Sequence, residues 1–122
     1  MILADANVWI DLFRSRNPEL RKLLENKQAA MHPCVAAELA LGSLLERSRT
    51  LAQLDTMPQA RLADLREVRR MIEVRGLYAK GIGLTDVHLV ASCLLTPGTR
   101  LWTRDAALAG VASTLGIDAG IP

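Results

Sequence analysis

The sequence predicts an α/β domain: a short parallel sheet with helices over both faces. Brief apolar, strand-like runs alternate with helical patterns, the order that parallel strands joined by helices produce. Residues 85–95 form an almost wholly apolar helical stretch, of the kind buried at a protein's centre. Half of the 122 residues are hydrophobic but only 3% are aromatic, so the core is built from Leu, Val, Ile and Ala.

The elements follow in order. Residues 1–5 read as a buried strand. Asn7 is placed to cap a helix whose apolar run is Val8 to Phe13, with Asp11 facing out. Asn17 and Pro18 open a second helix, to about residue 26. Residues 29–32 read as a second strand, stopped by Pro33, and 33–47 as an amphipathic helix. A short helix over 49–54 and a minor strand over 57–61 come next. Leu65, Val68 and Ile72 keep helical spacing over 64–75, and Gly76, Gly81 and Gly83 make the following segment a loop. Pro97-Gly98 ends the apolar helix over 85–95. Residues 100–103 are a third clear strand and 105–115 a helix ended by Gly116, with a last strand starting at Ile117-Asp118.

The length suits one domain over 1–122, able to bury roughly 65% of its unfolded surface. Fifteen basic against 13 acidic side chains leave a charge of only +2. If four of the acids gather around a cation, the remaining surface is basic and suits a polyanion. Cys34 and Cys93, both in apolar runs, read as small buried hydrophobes rather than a disulfide. Without a Cys/His cluster in sequence, structural zinc is not expected. The first apolar run lacks a basic leader and no run reaches the ~18 apolar residues of a membrane span, so a cytoplasmic protein is expected.

Four carboxylates stand in apolar surroundings. Asp5 ends the first strand, Glu38 lies in the stripe Cys34, Val35, Glu38, Leu41, Gly42 and Leu45, Asp86 heads Leu89, Val90, Cys93 and Leu94, and Asp105 follows the third strand. A buried carboxylate is costly unless paired, hydrogen-bonded or metal-bound, so all four are expected to be buried around one shared cation. Ligands in an open α/β sheet bind beyond the carboxyl ends of its strands, where Asp5 and Asp105 would lie. Oxygen donors favour Mg2+ or Mn2+ over zinc. Taken singly, each has a plainer reading: Asp86 and Asp105 as helix N-terminal residues, Asp5 as a strand end.

The segments Ile2–Asp11, His32–Gly42, Gly81–Ala91 and Leu101–Asp105, in this order, resemble the PIN domain family, and within it the VapC toxins of type II toxin–antitoxin systems. The resemblance implies a three-layer α/β/α fold around a short parallel sheet, and cleavage of RNA with Mg2+ or Mn2+. It carries the family's acidic quartet onto Asp5, Glu38, Asp86 and Asp105. Asn7 stands where the family often has Ser or Thr, and is expected to orient a carboxylate or a water; Thr103 is expected to help hold the cation's water shell. A homodimer and an inhibiting VapB-type antitoxin are also implied.

Arg14, Arg16, Arg66, Arg69, Arg70, Arg75 and Lys80 are candidate phosphate contacts, or a solvated face laced with Asp64, Glu67 and Glu73. Trp9 and Trp102 fit core packing better than base stacking, and His32 and His88 fit structural roles better than acid–base ones. Lys80-Gly-Ile-Gly83 reads as a turn. Two rival functions stand beside an RNA-cleaving toxin. One is a non-catalytic metal- or RNA-binding module of the same fold. The other is a phosphoacceptor domain, disfavoured because no lysine follows a late strand.

Overall fold

A computed structural model of the chain describes residues 1–15 and 17–122. Arg16, one of the candidate phosphate contacts, lies outside the described residues. The elements run β1 (Ile2–Ala4), α1 (Ala6–Ser15), α2 (Pro18–Glu25), β2 (Ala29–Ala30), α3 (Pro33–Leu41), α4 (Arg47–Asp55), α5 (Leu65–Arg75), α6 (Leu84–Leu95), β3 (Arg100–Trp102) and α7 (Ala106–Thr114). The sheet order is β2-β1-β3, and both pairings are parallel. Leu3 sits opposite Ala30 on one side and Leu101 on the other.

Alternate strand residues face opposite sides of a sheet, so burial of consecutive residues means that both faces are covered. Leu3 and Ala4 are buried together, as are Leu101 and Trp102, and Ala29 and Ala30. The result is the three-layer α/β/α arrangement. Helix α6 packs on β3 and on α5, α2 packs on β2, and α1 packs on α2 and α3. Val87 through Cys93 of α6 are all buried, as a nearly all-apolar helix requires. Trp9 and Trp102 lie in the core.

Local signals explain most boundaries. Asn17 accepts a hydrogen bond from the Leu20 N–H at 3.0 Å and opens α2 beside Pro18. Asp64 and Glu67 exchange bonds in a reciprocal cap that starts α5, and Gly76, at φ +65°, ends it in a left-handed conformation open to glycine. Five expectations are corrected. Asn7 does not cap α1 but lies inside it; Asp5 takes that place, accepting from the Ala6 N–H at 2.7 Å. The helix expected over 33–47 stops at Leu41, where Gly42 is extended, and α4 begins at Arg47. The second strand covers two residues, and the strand expected over 57–61 is a single parallel bridge from Gln59 to Met31. The strand at 117–118 is likewise one bridge, Asp118 to Leu101. Among the described residues, no helix is long and apolar enough to cross a membrane.

Candidate functional site

The parallel sheet sends β1 and β3 in the same direction, so both strands end at one edge. Asp5 is the first residue past β1, Thr103 the first past β3, and the Asp5 N–H donates to the Trp102 carbonyl across that edge at 2.8 Å. Asp5 is buried, with 7% of its surface exposed. Its carboxylate accepts from the Ala6 N–H at 2.7 Å and from the Thr103 hydroxyl at 2.8 Å. The same hydroxyl oxygen accepts from the Asp105 N–H at 3.1 Å. Thr103 therefore binds the first acid directly.

Burial raises the Asp5 pKa from its ordinary value. The bonds from Thr103 and Ala6 oppose that rise, and the nearby negative charges of Asp86 and Glu38 add to it. Asp86, in the first turn of α6, accepts from the Gly83 N–H at 3.0 Å and is half-buried. Glu38 projects from α3 and is exposed. Asp105 is joined to the group through Thr103, and its own side chain caps α7 by accepting from the Leu108 N–H at 3.0 Å. The expectation that all four acids are buried thus holds for Asp5 alone. The stripe through Glu38 misled because its outer members are not core: Leu41 is 88% exposed and Leu45 90% exposed.

Leu45 instead lines an open pocket of about 430 Å3, together with Ile10, Phe13, Arg14, Glu38 and Leu39 among others. Asn7 is half-buried, and its side-chain oxygen lies 3.5 Å from the donating Arg104 N–H. Arg104 is ion-paired with Asp11. Arg66, Arg69 and Arg70 are exposed on α5 and line a shallow hollow with Ile72 and Glu73. Lys80 sits in the turn expected there.

The sheet order, the acid at the tip of β1 and the second and third acids on α3 and α6 frame the comparison with known proteins. A family profile described as PIN domain matches residues 2–113. The chain belongs to the PIN domain family. This PIN domain is also similar to Ribonuclease VapC32 of Mycobacterium tuberculosis, in strains CDC 1551 / Oshkosh and ATCC 25618 / H37Rv. Each is 38% identical over 117 residues, covering 96% of this chain and 94% of the relative.

A further group of this PIN domain escaped the sequence reading. His32, Cys34 and His88 offer donor atoms that all lie within 4.8 Å of one another. His32 was legible as the residue before a helix, and its Nδ1 does cap α3 by accepting from the Cys34 N–H at 2.9 Å. Its nearness to His88 depends on α3 packing against α6, which no local spacing reveals.

Proposed function

We propose that this PIN domain is a divalent-metal-dependent endoribonuclease, the toxin of a type II toxin–antitoxin pair, with Asp5, Glu38, Asp86 and Asp105 as its acidic site. The observation that carries the reading is Asp5: a buried carboxylate, fixed by two donors, under the negative charge of two further acids. Such a group is costly as it stands and is relieved by a cation. The donor set fits one: carboxylate oxygens are the ligands that Mg2+ and Mn2+ prefer. When bound, the ion supplies Lewis-acid activation of a water and neutralises charge building on a phosphodiester. The names of the VapC32 relatives support ribonuclease chemistry.

The chain's own residues divide the work. Thr103 and Ala6 hold the Asp5 carboxylate in one orientation and favour its charged form against burial. Asp86 is anchored by the Gly83 N–H, so one of its oxygens keeps a set position while the other carries no hydrogen bond among the described residues. Asp86 or Asp105 accepts the proton of the attacking water. The exposure of Glu38 and Asp105 leaves the site open enough for a polymer to enter. Exposed Arg66, Arg69, Arg70 and Arg75 of α5 supply contacts to its phosphates. RNA in the cytoplasm is the substrate.

The pocket holding Ile10, Phe13, Leu44 and Leu45 beside Glu38 supports an antitoxin of VapB type, since an apolar segment laid there would cover the acid. Exposed Leu65, Val74 and Tyr78 along and after α5 support a homodimer.

The deciding experiment treats total cellular RNA with antitoxin-free protein in Mg2+, Mn2+ or EDTA, beside an Asp86→Asn control, and maps new 5′ ends. Discrete metal-dependent cuts absent from the control are expected. A folded protein that binds Mn2+ but makes no cuts would replace the nuclease with a non-catalytic binding module.

A further inference from the structure

The seam between α3 and α6 holds two histidines whose polar atoms are unaccounted for. His32 has no exposed surface and His88 only 6%. The His32 Nε2 and the His88 Nδ1 are both buried without a hydrogen-bond partner among the described residues. The two rings lie with centroids 6.1 Å apart and planes inclined at 51°. Cys34, half-buried and free of any disulfide, adds its sulfur to the same 4.8 Å cluster. A buried polar atom is normally satisfied, and here two unpartnered ring nitrogens belong to the histidines that cluster with one free thiol.

We propose that His32, Cys34 and His88 form a second cation site, distinct in donor chemistry from the carboxylates, that takes a borderline-soft ion of the Zn2+ class. Two imidazoles and a thiolate select such ions and disfavour Mg2+, which takes oxygen. The three donors lie at the cap and first turn of α3 and on α6, two helices that already pack together. Glu38 lies one turn beyond Cys34 on α3, and its charge already acts on the thiol.

Proton bookkeeping follows from the hydrogen bonds. His32 Nδ1 accepts from the Cys34 N–H, which puts the ring proton on Nε2. To ligate through Nε2, the ring must move that proton to Nδ1 and give up its cap on α3; to ligate through Nδ1, it gives up the same bond. Cys34 releases its proton to solvent as the sulfur–metal bond forms. Loading therefore changes the first turn of α3 as well as filling the seam.

The test titrates metal-free protein with Co2+ and with Zn2+, in excess Mg2+ to fill any oxygen site. Stoichiometry is read by equilibrium dialysis and ligand type by the Co2+ spectrum. One Co2+ per chain is expected, with a thiolate-to-cobalt charge-transfer band and tetrahedral ligand-field bands. Cys34→Ser, at a half-buried position where folding is checked by circular dichroism, should abolish the band and weaken Zn2+ binding by about tenfold or more. His88→Gln should do the same if it folds. Asp86→Asn should leave the band in place. The proposal is overturned if Co2+ binds without a thiolate band, if Cys34→Ser binds Zn2+ as the parent does, or if neither ion binds at micromolar concentration. The outcome is independent of RNA cleavage, so the nuclease reading and this one fail separately.

Discussion

Replacing Thr103 by Val removes one hydroxyl and keeps the branched shape. That hydroxyl donates to the buried Asp5 carboxylate at 2.8 Å and accepts from the Asp105 N–H at 3.1 Å. A hydrogen bond to a charged group contributes about 1.5–3 kcal/mol, and an amide left without a partner costs up to about 1 kcal/mol more where water reaches it poorly. We expect a loss of about 2–3 kcal/mol at neutral pH in urea unfolding, with a fall in Tm of roughly 10 °C for a chain of this size. The sign with pH is fixed by Asp5. Its pKa is raised in the folded state, so its contribution favours folding most below the ordinary 3.8 and is lost as pH rises through the folded value. Thr103 restrains that rise, so Val should raise the Asp5 pKa further and deepen the loss at neutral pH. In acid, where the carboxyl is protonated in both proteins, the Val penalty should shrink. Thr103→Ser, which keeps the hydroxyl, should lose much less. A penalty of the same size from acid to neutral pH, or one matched by Ser, would refute the charge-assisted bond as its source and leave packing.

Three other outcomes are expected. Glu38→Gln, at an exposed position with no structural bond in view, should change stability by less than about 0.5 kcal/mol while abolishing Mn2+-dependent RNA cleavage, read by urea titration and by gel. Asp105 separates its two tasks by substitution: Asn can still cap α7 while Ala cannot, so Ala should cost about 1 kcal/mol more than Asn, and both should lose cleavage if the carboxylate serves the chemistry. Cys93 is buried and its thiol is pushed up to about 12 by desolvation, so mass spectrometry should find it unalkylated by iodoacetamide in the native protein under conditions that modify Cys34.

The sheet and most helices were legible because their signals are local. Asn17-Pro18 marks one helix start, Gly76 marks one stop, and the unbroken apolar run of α6 has only one stable place to go. The end of α3 was hidden for a physical reason. Leu41 and Leu45 continue a helical apolar stripe, but periodicity reports that a surface is apolar, not whether its partner belongs to the same chain. The same limit placed Glu38 in the core when it stands at a pocket's rim. Asp5 was identified correctly as a buried acid because it directly follows a strand buried on both faces. Its bond to Thr103 and the meeting of His32 with His88 arise from helix and strand packing across long stretches of sequence, and neither leaves a local mark.

The placement of β1 at the centre of the sheet has a consequence for synthesis. Its Asp5 is oriented by Thr103, 98 positions later, and its second neighbour, β3, is made only after α6. A nascent chain that has not yet reached β3 and Thr103 has one flank of β1 unpaired and its first acid without the hydroxyl that positions it. Contacts this distant in sequence form late. Asp5 therefore gains its orienting hydroxyl only once the chain has been made as far as Thr103.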